Sequence, residues 1–178
     1  MFDRLLDIFL SFGNKISFFQ VVNQYEVGVK LRLGKLVSIA HPGLNFKYPF
    51  LDCILTTNGV STTVQLQAQT LTTSDDICLM VGTVVRYSIS QPELFLLEIW
   101  DGAGVLSDTV MGIVKQVISD HPFKDLNSED ICQVILRKSR TKLSKYGLKI
   151  EAVTFSDFGK IKTIRLISND ALNSDEHG

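Results

Sequence analysis

The sequence predicts an α+β domain, an antiparallel β-sheet with packed helices, preceded by an amino-terminal amphipathic helix. Three observations predict it. Between residues 27 and 89 apolar and polar residues alternate in several short runs, the period of a half-buried strand. From Pro92 to Lys145 the period becomes helical, and a β-branched run follows. The first sixteen residues, MFDRLLDIFLSFGNKI, split into two faces when wound at about 100° per residue.

In that first segment Phe2, Leu5, Leu6, Phe9, Leu10, Phe12 and Ile16 share one side, joined by Ile8, while Asp3, Arg4, Asp7, Ser11, Asn14 and Lys15 share the other. The apolar side is broader than the stripe of an ordinary surface helix. It does not span a bilayer, because Asp7 interrupts a run that would need about 20 apolar residues. Asp3, Asp7 and the lack of a small-residue cleavage site exclude a secretory signal, and Phe2 excludes myristoylation. Two supports remain, a lipid surface and the domain's own core. With two acids and two bases opposite, lipid adhesion would be hydrophobic, at about 1.5–3 kcal/mol per buried large side chain.

Residues 18–23 are a linker or a first strand. Val27, Val29, Leu31 and Leu33 then alternate with Gly28, Lys30, Arg32 and Gly34 up to a Gly34-Lys35 turn. His41-Pro42-Gly43 is a second turn, and Leu44, Phe46 and Tyr48 begin a strand that Pro49 interrupts. Val64, Leu66 and Ala68 alternate with three glutamines. After the polar turn 72–76, Ile77 to Ile89 forms a long strand with a bulge at Gly82. The strands together read as a meander.

Pro92 opens a helix of two turns over Glu93–Trp100, ended by Asp101-Gly102. Val105, Leu106, Thr109, Val110, Ile113, Val114 and Val117 mark one face of a longer helix ending near His121-Pro122. Asn127, with Asp130 three residues on, starts another as a variant of the capping box, and Gly147 closes it. Leu148–Phe158 is the last strand, and 168–178 a polar tail. The domains are expected at 1–19 (amphipathic helix), 20–160 (folded domain) and 161–178 (short carboxy-terminal segment).

The 178 residues are 45% hydrophobic and carry 18 Lys plus Arg against 19 Asp plus Glu. That balance lacks the positive footprint of a nucleic-acid binder. Cys53, Cys78 and Cys132 lack disulfide or zinc spacing and read as reduced, partly buried thiols facing a cytosol. His41 and His121 precede prolines and His177 lies in the tail, poor places for a base or a metal ligand. No nucleophile elbow, zincin or P-loop pattern occurs. Asp75-Asp76 reads as a solvated turn, and Asp101-Gly102-Ala103-Gly104 lacks the buried parallel strand a phosphate loop needs. The basic run Arg137–Lys145 reads as a solvated helix face, against a reading in which it attracts phospholipid or nucleic acid. No catalytic residue, cofactor or metal is expected.

Glu26-Val27-Gly28-Val29, Arg32-Leu33-Gly34-Lys35, Pro42-Gly43-Leu44-Asn45-Phe46 and Tyr48-Pro49-Phe50-Leu51-Asp52 occur in that order. Thr73-x-Asp75, Val85-x-Tyr87-x-Ile89, Gln91-Pro92 and Lys145-Tyr146-Gly147-Leu148-Lys149-Ile150 follow. This ordered set resembles the stomatin/prohibitin/flotillin/HflK-HflC domain (SPFH, band 7) over roughly residues 20–160. The resemblance implies an α+β domain behind a membrane anchor, whose members pack side by side, organise membrane patches and restrain membrane proteases. It implies lipid contact by the first segment and by a Pro49-Phe50-Leu51 loop, the alternative being that Phe50 and Leu51 plug the sheet. The implied partners are membrane lipid, copies of this chain or other family members, and a membrane protease, with the protein peripheral on the cytoplasmic face of a cell or organelle inner membrane. The family's long coiled coil is not read here, because no heptads follow Lys160. The expected function is a peripheral scaffold that associates laterally, the alternative a soluble structural or interaction module acting on such an assembly.

Overall fold

The computed structural model describes residues 18–161. The amphipathic segment up to Ser17 and the tail from Lys162, His177 included, lie outside them. Nine strands and three helices follow in the order β1 (Phe19–Val22), β2 (Glu26–Arg32), β3 (Lys35–Ala40), β4 (Gly43–Phe46), β5 (Asp52–Asn58), β6 (Thr62–Gln65), β7 (Gln69–Thr72), β8 (Cys78–Ile89), α1 (Pro92–Leu97), α2 (Gly102–Ser119), α3 (Ser128–Leu143) and β9 (Leu148–Lys160). The α+β class is as expected. The single meander is not, because the strands divide into three antiparallel sheets.

The largest sheet is organised around β8, with β9 along one edge and β6 and β7 end to end along the other. The expected strand through Ala68 breaks after Gln65, beside the step from Gly82 to Thr83 of β8, where the register with β9 shifts by one residue and leaves Ser156 unpaired in the ladder. The strands approach closely here: a Cβ at Gly82 would come within 2.5 Å of the Ser156 hydroxyl on β9, which would have to rotate away. On one face of β8, Leu79, Val81 and Val85 are buried with Leu148 and Ile150 of β9. Against them pack Leu106, Val110, Ile113 and Val117 of α2, spaced as the 3.6 period demands, and Ile131, Ile135 and Leu143 of α3.

The helix ends show local chemistry. Asp101 caps α2 by accepting from the Gly104 N–H. At α3 the capping box is incomplete: Asn127 Nδ2 donates to Asp130 Oδ2 at 2.9 Å, and its side chain takes no backbone N–H. Gly147 ends the helical segment at φ +74°, the left-handed cap expected of it. Asp75 is a structural staple, accepting from the Thr73 hydroxyl and the Phe123 N–H. The Thr73 hydroxyl is the main reason its carboxyl titrates below the usual range.

The partly buried state expected of the thiols holds only at Cys132. Cys53 and Cys78 are exposed, because both lie on outward positions of their strands; all three are free.

Candidate functional site

The two smaller sheets hold what the core does not explain. β2 is central in one, paired with β3 and β5. β1 and β4 form the other, and their register sets Phe19 beside Phe46 and Val21 beside Leu44. Paired residues share a face. The inner face carries Val22, buried with Ala40 and Ile54 in a small second core. The outer face is therefore Phe19, Val21, Leu44 and Phe46, all exposed, Leu44 by 68%. Phe46 collects the aromatic neighbours: Phe18 stacks on it, while Phe19 and Tyr48 meet it edge-on at 5.6 and 5.0 Å.

Beyond β4 the chain turns through Pro49-Phe50-Leu51. Phe50 is 86% exposed and adopts φ +67°, a left-handed conformation that costs an L-residue roughly 1–2 kcal/mol. Leu51 beside it is half-exposed. Neither plugs the sheet. A large aromatic side chain held in water on strained backbone points to a use outside the fold.

Three charged residues position this tip. Asp52 opens β5 with its side chain fully shielded from solvent. It accepts from Arg32 Nε at 2.7 Å, from Arg32 Nη2 at 3.2 Å and from the Tyr48 N–H at 2.9 Å. Lys30 Nζ lies 3.1 Å from the same carboxylate and donates to the Phe46 carbonyl at 2.7 Å. The Arg32 hydrogen bond, against the cost of burial, is the main reason the Asp52 carboxyl titrates far below the usual carboxylate range. The Arg32 guanidinium also sits 4.8 Å from the Tyr48 ring centre. The turn closes through Asp52 N–H to the Tyr48 carbonyl at 2.9 Å and Leu33 N–H to the Leu51 carbonyl at 2.9 Å. Both ends of the Phe50 tip are thus fixed to β2.

The structure places Phe50 and Leu51 together at this tip. Phe2, Leu5, Leu6, Phe9, Leu10, Phe12 and Ile16 lie outside the described residues; the segment holding them joins the domain at Phe18, beside Phe46. Sequence reasoning missed the outer face of β1 and β4 and the Lys30–Asp52–Arg32 clamp. A signal existed for the clamp: Arg32 and Asp52 are the end residues of strands that the intervening turns fold into register.

A second apolar surface lies on the β2–β3–β5 sheet. Leu36 and Leu31, and Ile39, Val29 and Leu55, are matched in register. Val29 is buried, and α1 packs on these strands, yet Leu36, Ile39 and Leu55 remain exposed. Trp100, beyond α1, is fully exposed.

Among the described residues no helix is long and apolar enough to cross a membrane, and no three His, Cys, Asp or Glu side chains gather where they could hold a metal ion. His121 Nδ1 lies 2.8 Å from the Val117 carbonyl, a local helix-end contact.

Comparison with known proteins bears on the fold. The family model described as SPFH domain / Band 7 family matches residues 20–166. An uncharacterized protein of Archaeoglobus fulgidus is 27% identical over 144 residues, 80% of this chain and 58% of its own. Protein HflK of Haemophilus influenzae is 25% identical over 167 residues, 90% of this chain and 40% of its own. The modulator of FtsH protease HflK of Escherichia coli is 26% identical over 113 residues, 64% of this chain and 27% of its own. The chain thus matches between 27% and 58% of the length of these three relatives.

Proposed function

The chain belongs to the SPFH domain / Band 7 family, and from that premise we propose that it is a peripheral membrane scaffold that works by contact rather than by chemistry. The observations that carry this reading are the exposed apolar outer face of β1 and β4, which reaches Tyr48 through Phe46, and the exposed Phe50-Leu51 tip that follows Tyr48 in the chain. Such surfaces on soluble domains mark interaction sites. Lipid fits here because the surface is aromatic, because its tip is strained outward, and because the amphipathic first segment meets the domain at its edge. Together they make a two-part anchor, Phe2, Leu5, Leu6, Phe9, Leu10, Phe12 and Ile16 in one part and Phe50 and Leu51 in the other.

The face bearing Leu36, Ile39 and Leu55 suits lateral contact with another copy or another member of the family. Relatives named as modulators of FtsH protease support a membrane protease as a partner of the resulting assembly. The cytoplasmic face of the membrane is the side we assign.

Vesicle flotation of the full chain against a Leu6→Asp, Phe9→Asp variant tests the first part of the anchor. The variant is expected to float at least about tenfold less, since about 1.4 kcal/mol corresponds to tenfold and each side chain contributes more than that when buried. Equal flotation of both would remove residues 1–17 from the anchor.

A further inference from the structure

The basic run of α3 is not spread evenly over solvent. An open groove of about 680 Å³ lies between α2 and α3, walled by Thr109 and Gly112 on one side and Lys142 and Lys145 on the other. It continues towards Gln116 past Arg137 and Lys138, with Thr141 and Lys142 common to both stretches. Four cations line it against one carboxylate, Asp108. Among the described residues none of the four is in an ion pair. A Cβ at Gly112 would meet open space, so the floor there is unfilled.

The chain carries a matching segment. Residues 168–178, SNDALNSDEHG, hold Asp170, Asp175 and Glu176 and no Lys or Arg. The last described residue, Ile161, is tied by its N–H to the Cys78 carbonyl at 3.0 Å. Lys160 beside it lies over the Phe123 ring, just past the carboxy-terminal end of α2. That is the Gln116 end of the groove. Nine Cα–Cα steps lead from Ile161 to Asp170 and can span about 30 Å. The Thr109–Gln116 wall is about 10 Å long. The acids can therefore reach every cation of the groove.

We propose that the α2–α3 groove is a docking surface for an acidic segment, and that residues 168–178 of the same chain occupy it. Exposed charge pairs are individually weak, so the latch depends on several acting together and on the high effective concentration of a tethered segment. A more acidic partner segment would displace it.

Zero-length carbodiimide cross-linking of the full chain, with mixed isotope-labelled and unlabelled protein, tests this. At about 0.02 M salt, Lys138, Lys142 or Lys145 is expected to join Asp170, Asp175 or Glu176 within one chain. At about 0.5 M salt, where the Debye length falls below about 5 Å, the yield should drop at least about fivefold. Lys142→Glu on α3 with Lys145→Glu in the exposed turn after it should abolish the cross-links at Lys138 as well, with the melting temperature unchanged. Cross-links spread equally to Lys35, their absence, or their formation only between two chains would overturn the proposal.

Discussion

Replacing Phe50 and Leu51 together by aspartate is expected to weaken binding of the full chain to vesicles at least about tenfold, with little change in stability. The membrane side follows from burial: a fully inserted apolar side chain is worth about 1.5–3 kcal/mol, and tenfold requires about 1.4. The folding side follows from exposure. Phe50 has few contacts to lose, and substitutions at such positions usually stay within about ±0.5 kcal/mol. Phe50→Gly separates the two effects further. Glycine adopts φ +67° without the penalty an L-residue incurs there, so this chain should melt at the same temperature or higher while binding vesicles several-fold less. Co-sedimentation and thermal melts read both. Unchanged sedimentation of both variants would remove the tip from the anchor.

The second large effect is at Asp52. Removing its carboxylate by Asp52→Ala leaves Lys30 and Arg32 facing each other without the acid that holds them, and frees the Tyr48 N–H. Breaking a shielded pair from one side is costly, and the thermal midpoint at pH 7 is expected to fall by roughly 5 °C or more. The effect depends on pH in a fixed direction. The folded-state carboxyl titrates below its unfolded value of about 3.9. Its stabilisation is therefore present above about pH 4 and is lost as pH falls through the folded-state value. The gap between melts of the parent and Asp52→Ala chains should hold from neutrality down to about pH 4, then narrow progressively as pH falls towards the folded-state value. A gap that stays constant below about pH 4 would mean that Asp52 acts by packing rather than by charge.

The helical half of the fold was legible because its periodicity is local. The spacing of Leu106, Val110, Ile113 and Val117 marks the buried face of α2 without reference to any other element, and Gly147 marks the left-handed stop. Gly82 marked the place of an irregularity, but the extra residue there is Ser156 on β9, opposite the step from Gly82 to Thr83. Sheet topology is not local. Alternation in residues 27–33 and 44–48 shows that strands form but not which edges meet, so the pairing of β1 with β4 and of β2 with β5 could not be read. β3 and β5 went unread because the outward faces of their strands are apolar too, through Leu36, Val37, Ile39 and Leu55, which blurs the period. The same blurring is the functional signal. Phe50 and Leu51 stood out beside Pro49, but the surface they extend depends on Phe19 and Val21 falling beside Phe46 and Leu44, residues more than twenty positions away.

The chain has a single tryptophan, Trp100, so a probe can be moved to the tip. Phe50→Trp in a Trp100→Phe background, mixed with vesicles containing brominated lipid, measures whether residue 50 reaches the acyl chains. A blue-shifted emission quenched by the bromines is the predicted result. Emission that stays red and unquenched while the protein floats with the vesicles would contradict the lipid-facing surface.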